Sequence, residues 1–333
     1  MPDLDIKNGA GPASALFLND QTPKPVAGPG QALVKIKAFG LNRMDLLQRD
    51  GHYPLPPHFP KTLGVEFSGL VETVADGAAA PGGFRPGDEV FGLAYGGAYA
   101  EYIAVPTQML LHKPSFLSWE QAAGIPETWI TATQALFFVG GFREGQTVLW
   151  HAGASGVSIA GCQLARRAGA AAVYATVGSD EKCAFVVDRL GATAAFNYKT
   201  QDWKQEILGA TGGAGVDMVV DFVGADYFQR NLEVAARDGH IVCLGFLSGA
   251  QVKDVNIGML LAKRLRVEGS SLRSRDLDYQ EKLRDKLEVY LPDFEKGDLK
   301  VYIDKVFPWT DIKAAHEHME SNASTGKIIC TIS

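Results

Sequence analysis

The chain has 333 residues, 46% of them hydrophobic and 21% charged, with a formal net charge of -6. Its length suggests two domains, its composition suggests an ordinary soluble globular protein, and its acidic balance argues against an electrostatic nucleic-acid binder. The N-terminus Met1-Pro-Asp-Leu-Asp-Ile-Lys lacks a cationic-then-apolar signal pattern, and no apolar run reaches the roughly 18 residues of a membrane span, so a cytoplasmic protein is expected.

Residues 1–126 carry short alternating strands at Leu33–Ala38, Phe67–Val74, Asp88–Gly92 and Ala98–Val105, with turn-rich stretches at Pro54–Pro60 and Ala78–Gly87. This pattern predicts a β-rich, partly closed barrel. From Thr147 to Ser270 strands and helices alternate. Strands are expected at Thr147–Trp150, Ala172–Val177, Ala194–Tyr198, Asp217–Phe222, His240–Phe246 and Leu265–Gly269. Helices are expected at Ile159–Ala168, Ser179–Leu190, Asp202–Leu208, Asp226–Arg237 and Ile257–Ala262. Six apolar strands separated by helices predict a doubly wound parallel sheet. The chain then continues through a helix at Leu277–Leu291, a segment at Val301–Phe307, a helix at Ile312–Ser321 and a strand at Lys327–Ile332. That lone last strand needs a partner, which the N-terminal β domain can supply. Residues 1–126 and 273–333 are therefore assigned to one discontinuous domain and 127–272 to the other, with a cleft between them.

The run His151-Ala-Gly-Ala-Ser-Gly-Val-Ser158 lies between the first of the six strands and its helix. A glycine-rich turn there lets backbone amides and the helix N-terminus approach a dinucleotide pyrophosphate. Gly153 and Gly156 fit, but Ser158 stands where a third glycine is usual, and a tight turn without a ligand is the plainer alternative. The second strand ends Ala175-Thr-Val-Gly-Ser179 without the carboxylate that would bind a ribose 2′-OH, and Lys182 follows. A cation in the first helical turn opposes the dipole unless an anion such as a 2′-phosphate lies near, which favours NADPH over NADH. Asp180 and Glu181 share that turn and offer another way to satisfy the dipole. Cys162, Cys183, Cys243 and Cys330 form no C-x-x-C pair and read as reduced core residues. The basic group Lys263, Arg264, Arg266, Arg273 and Arg275 reads as the solvated flank of a buried strand rather than an RNA patch.

Several strings together resemble the zinc-independent quinone oxidoreductases of the medium-chain dehydrogenase/reductase superfamily. They are Leu41-Asn-Arg-Met-Asp-Leu-Leu-Gln-Arg49, Leu63-Gly-Val-Glu-Phe-Ser-Gly69, Ile125-Pro-Glu-Thr-Trp-Ile-Thr-Ala132, His151-Ala-Gly-Ala-Ser-Gly-Val157, Phe196-Asn-Tyr-Lys199 and Ser271-Leu-Arg-Ser-Arg-Asp276. Their combination is most similar to the tumour-suppressor-inducible branch. The resemblance implies an α/β fold: a Rossmann doubly wound parallel sheet plus a discontinuous GroES-like β-barrel domain. Zinc enzymes of the superfamily have a cysteine near the position of Asn42 and Gly-His-Glu where this chain has Gly64-Val-Glu66. They also carry a four-cysteine lobe in the N-terminal half, whereas no cysteine precedes Cys162 here. No metal is therefore expected, and Glu66 reads as a relict bonded to arginine or backbone. Without a Lewis acid, the substrate must accept hydride readily, as a quinone or an α,β-unsaturated carbonyl does.

By resemblance, Asn42, Tyr53 and Thr131 form the reaction site. The cofactor contacts it implies are His151, Gly153, Ala154, Ser155, Gly156, Val157, Ser179, Lys182, Tyr198, Phe246, Leu247, Leu272 and Ser324. The residues alone leave other readings open. Asn42 serves equally as the cap of a helix at Arg43–Arg49, Tyr53 as a packed loop tyrosine, and Thr131 as a helix-interior hydroxyl. His151 suits a strand-end imidazole bonded to backbone better than a general acid. A neutral Tyr53 phenol, with a reference pKa of about 10, is able to hydrogen-bond an oxygen gaining charge. The implied activity is hydride transfer from NADPH to a quinone. Alternatives are an enoyl or 2-alkenal reductase, or a non-catalytic crystallin-like or RNA-binding relative. The expected partners are a small molecule and a second copy of the chain, paired through an edge at Leu265–Gly269.

Overall fold

The computed structural model describes residues 1–53, 55, 59–75 and 83–333. The turns expected at Pro54–Pro60 and Ala78–Gly87 lie partly outside the described residues. The chain forms two units, Met1–Ile130 with Arg275–Ser333, and Thr131–Ser274.

In the first unit one seven-stranded sheet gathers both ends of the chain. Its main path runs Ile303–Pro308, Lys327–Thr331, Gln31–Gly40, Glu66–Val74, Glu89–Leu93 and Leu110–His112, and Tyr102–Pro106 pairs Gln31–Gly40 off that path. The last strand lies antiparallel to Gln31–Gly40, with Ile329 opposite Gly40, and parallel to Ile303–Pro308. Alternating residues such as Val34, Ile36, Phe67, Val71, Ile328 and Cys330 fill one core behind this sheet. A hairpin of Asp3–Ile6 with Leu16–Asn19 precedes it. The sequence carries no period long enough to announce that hairpin.

In the second unit the strands are β1 (Thr147–Trp150), β2 (Ala172–Val177), β3 (Ala194–Asn197), β4 (Val216–Asp221), β5 (Ala235–Cys243) and β6 (Arg266–Gly269). The helices are α1 (Gly156–Arg167), α2 (Asp180–Leu190), α3 (Trp203–Ala210), α4 (Ala225–Val234) and α5 (Gly258–Lys263). The sheet is parallel throughout in the order β3-β2-β1-β4-β5-β6. That is the dinucleotide-binding order, whose strand direction of growth reverses between β1 and β4. Apolar strands buried on both faces make such a sheet, and Ala172–Val177 is buried at every residue.

The boundary between α4 and β5 differs from the sequence reading. The helix expected to Arg237 stops at Val234, because the chain enters β5 through a bulge in which Ala235 pairs Val216 and His240 pairs Met218. Asp238 in the bulge takes a left-handed φ of 66°. The strand beside the basic flank also proves different, since β6 is not buried: all four of its residues are exposed, and among the described residues it pairs only with β5. Arg264 and Arg266 are solvated as expected, while Lys263 is half-buried. Lys263 Nζ donates to the carbonyls of Leu232, Glu233 and Ala235 at the end of α4, and Arg264 pairs with Asp238.

The close approach of α1 to β1 is made at Gly161, where an added Cβ would lie 2.1 Å from the Trp150 ring. Trp150 is fully buried and has no room to retreat. Gly161→Ala is expected to destabilise the chain by roughly 1–3 kcal/mol through overpacking, measured as a lower urea midpoint at unchanged m-value.

Candidate nucleotide and reaction sites

The turn after β1 is built by hydrogen bonds within its own residues. Ser155 caps α1, its hydroxyl accepting from Ser158 N–H, so Gly156 and Val157 occupy the first helical turn. The helix thus begins three residues before the expected Ile159. First-turn N–H groups lack partners within a helix and suit a phosphate. Gly153 meets another demand: its N–H donates to Thr176 O at 2.9 Å, and an added Cβ would stand 2.7 Å from Ala175 Cβ. Ser158, where a glycine is usual, is fully buried, and its hydroxyl donates to His151 O at 2.8 Å. The serine ties the helix to the strand end.

His151 is fully buried, so its ring cannot touch a cofactor, and its partners are side chains rather than the expected backbone. Asn231 Nδ2 donates to Asp221, leaving Asn231 Oδ1 to accept from His151 Nε2, while Thr176 Oγ1 donates to His151 Nδ1. Burial holds this imidazole below its ordinary pKa, and it stays neutral.

At the tip of β2, Ser179 caps α2 by accepting from Lys182 N–H. Asp180 accepts from Asn197 Nδ2 at 2.8 Å. Hydrogen bonds from its own backbone N–H and from Ser179 hold the Glu181 carboxyl below its ordinary range. Lys182 is half-buried in the same turn. Tyr198 sets its hydroxyl 3.0 Å from where a Cβ would stand at Gly178, and the residue is 45% exposed. Phe246 and Leu247 are exposed in the loop beyond β5, which ends at Cys243 and not at the expected Phe246. Ala154 and Leu272 are buried.

In the other unit Asn42 stands before the helix Arg43–Arg49, and Asp45 accepts from its backbone N–H at 2.8 Å. Asn42 and Asp45 form a capping box there, and the Asn42 carboxamide makes further bonds. Asn42 Nδ2 donates to Glu66 Oε1 at 2.8 Å, and Lys327 Nζ donates to Asn42 Oδ1 at 2.9 Å. Lys327 also reaches Glu66 Oε1 at 2.6 Å and Leu41 O at 2.6 Å. Glu66 Oε2 accepts from Glu127 N–H at 2.9 Å. The partners of Glu66 are thus a lysine, an amide and the backbone, where arginine or backbone was expected. Gly40 makes the space, since a Cβ there would stand 2.3 Å from Glu66 Oε1.

A second buried chain runs beside it. Arg49 donates to His316 Nδ1 at 3.2 Å, so the ring proton sits on Nε2 and faces Tyr99 Oη, also at 3.2 Å. Tyr99 donates to Asp45 Oδ2 at 3.3 Å. Tyr53 is half-buried, Thr131 lies in the helix Pro126–Thr133, and Ser324 is half-buried just before the last strand.

The chain shares its architecture with known proteins. Residues 28–115 match the alcohol dehydrogenase GroES-like domain and residues 156–288 the zinc-binding dehydrogenase family. Quinone oxidoreductase of Pseudomonas aeruginosa is 32% identical over 96% of both chains. This protein belongs to the quinone oxidoreductase family of the medium-chain dehydrogenase/reductase superfamily. It is an oxidoreductase with a Rossmann unit and a GroES-like unit. Among solved structures, quinone oxidoreductase of Escherichia coli complexed with NADPH superposes with TM-score 0.88 at 29% identity and full coverage of both chains. An NAD-dependent alcohol dehydrogenase superposes with TM-score 0.87 at 32% identity, again with full coverage of both.

Of the groups this superfamily uses, a nicotinamide dinucleotide fits the residues present, because the capped glycine turn opens a 12-residue helix at the sheet's switch point. Zinc does not fit. The carboxylate of Glu66 is already bonded to an ammonium, Val65 has no donor, and no cluster of three His, Cys, Asp or Glu occurs among the described residues. Lys327 and the chain from Arg49 to Asp45 escaped the sequence reading. Their only signal was a lysine opening an apolar last strand, which says nothing of its partner.

Burial and the adjacent Arg49 push the His316 pKa down to about 3. The unfolded chain therefore binds the proton first, and the stability that neutral His316 contributes is full above about pH 6.5. As pH falls from there toward 3, that contribution is lost with a slope approaching about 1.4 kcal/mol per pH unit. Urea unfolding at several pH values between about 7 and 4.5 is expected to show a steeper loss in the native protein than in His316→Gln; parallel slopes would refute this.

Proposed function

We propose that this chain is a zinc-independent NADPH:quinone oxidoreductase. The observation that carries this reading is the Glu66–Lys327 pair, which puts an ammonium against the carboxylate at the metal position of zinc relatives. With no Lewis acid built there, an unactivated alcohol or ketone is a poor substrate and a quinone a good one. Bound NADPH supplies the hydride. The chain's own residues supply a phosphate cradle in the turn Gly153–Val157 and, at Asn42 and Tyr53, polar groups for the acceptor's oxygen. Thr131 and Ser324 complete the proposed contacts.

NADPH is favoured over NADH because β2 ends without a free carboxylate. Asp180 accepts from Asn197, and the resemblance makes Lys182, Ser179 and Tyr198 the residues to meet a 2′-phosphate. Purified protein is expected to oxidise NADPH in preference to NADH across a panel of quinones, with enals turned over more slowly. Faster turnover of enals than of every quinone would favour an enoyl or 2-alkenal reductase instead. Lys182→Ala should raise the KM for NADPH far more than that for NADH; equal effects would overturn the cofactor assignment.

A homodimer paired through β6 accompanies this reading. Supporting it are the unpaired outer edge of β6 and the apolar side chains beside it, Val267 at 39% exposure and Leu261 at 85%. Light scattering at micromolar concentration should give twice the chain mass, and a monomer mass would refute the pairing.

A further inference from the structure

We propose that Lys327 is a positioning residue for hydride acceptance, orienting the Asn42 carboxamide toward the acceptor's oxygen. The inference rests on the reading of this chain as a nicotinamide-dependent reductase with Asn42 beside the acceptor.

The two ends of the Asn42 amide face opposite charges. One end faces an ammonium, which can only donate; the other faces a carboxylate, which can only accept. The flipped amide would set its NH2 against Lys327 and its oxygen against Glu66, two repulsive contacts in a buried place. The orientation is therefore imposed by charge. Oδ1 is spent on Lys327 and one N–H on Glu66, so the second N–H of Nδ2 is the donor that remains. The backbone beneath is held as well, by the bond from Asn42 N–H to Asp45.

Lys327 does not act on the substrate directly. Its three N–H donors are committed to Glu66, Leu41 O and Asn42, and its side chain is 5% exposed. Glu66 is fully buried and its three bonds are internal. Asn42, by contrast, retains 9% exposure and an unspent donor. When the hydride and its electron pair pass from NADPH to a quinone, a carbonyl oxygen takes on negative charge and then a proton from solvent. A fixed N–H aimed at that oxygen strengthens as the charge grows, which is how preorganised donors lower a barrier.

The test is a coupling measurement on the full-length protein. Lys327→Met alone strands a buried carboxylate, so the main variant is Lys327→Met with Glu66→Gln, which leaves no unpaired charge. Its kcat for quinone reduction is expected to fall on the order of 10- to 100-fold. The KM for NADPH, and NADPH affinity read by fluorescence titration, should stay as they were. Asn42→Ala should lower kcat to a similar extent, and adding it to the double variant should lower kcat no further. Retained kcat in the double variant, or losses that multiply in the triple variant, would overturn the inference while leaving the reductase reading intact. If the double variant does not fold, Lys327→Gln with Glu66→Gln carries the same comparison, since the two amides pair without a buried charge but cannot satisfy three acceptors. A native protein that binds NADPH yet reduces no quinone or enal would overturn the reductase reading, and this inference with it.

Discussion

A buried ammonium at the head of the last strand holds together three stretches that are far apart in the chain. Lys327 opens Lys327–Thr331, Glu66 opens Glu66–Val74, and Asn42 follows Gln31–Gly40. Taking two charges out of water costs several kcal/mol for each ion, and the pair persists only where every donor and acceptor finds a partner. That condition is met here by one carbonyl, one carboxamide and one backbone N–H. The same contacts that close a sheet made from both ends of the chain also hold the side chain nearest the proposed chemistry. Stability and site geometry in this unit are one interaction.

Two histidines illustrate a related economy. His151 in the Rossmann unit and His316 in the other are both fully buried. Each ring has its proton assigned by a neighbour whose role is invariant. Asp221, through Asn231, makes His151 Nε2 a donor; Arg49 makes His316 Nδ1 an acceptor. Burial lowers the pKa of both, and each works as a rigid polar strut rather than as an acid or base. Ser158 plays a comparable part at smaller scale. Its hydroxyl reaches the His151 carbonyl, while Gly161, one turn further on, provides the close helix–strand contact.

The Rossmann unit was legible because its signals are local. Thr147–Trp150 and Ala172–Val177 are short apolar runs bounded by turns, and a strand, turn and helix within a few residues need no distant partner to be recognised. Where the reading slipped, the cause was tertiary. Residues 235–237 look helical by composition, yet pairing with β4 pulls them into a bulged strand. Arg266–Gly269 ends the sheet, as the edge expected at Leu265–Gly269 required, but with all four residues exposed it is not the buried strand that its basic neighbours were expected to flank. The hairpin Asp3–Ile6 with Leu16–Asn19 was missed because two four-residue strands carry too few alternations to show a period.

By itself the sequence determined the alternation of strands and helices, the glycine turn, the missing cysteines and histidine of a zinc site, and the neutral tip of the second strand. These follow from residue type at short spacing, where backbone sterics and hydrophobic period act without help from the rest of the fold. Only the tertiary structure decided what faces Glu66, which way the Asn42 amide points, and that His151 lies beneath the nucleotide turn rather than in it. Charge pairing and burial depend on distances between segments remote in sequence, and no local pattern encodes them.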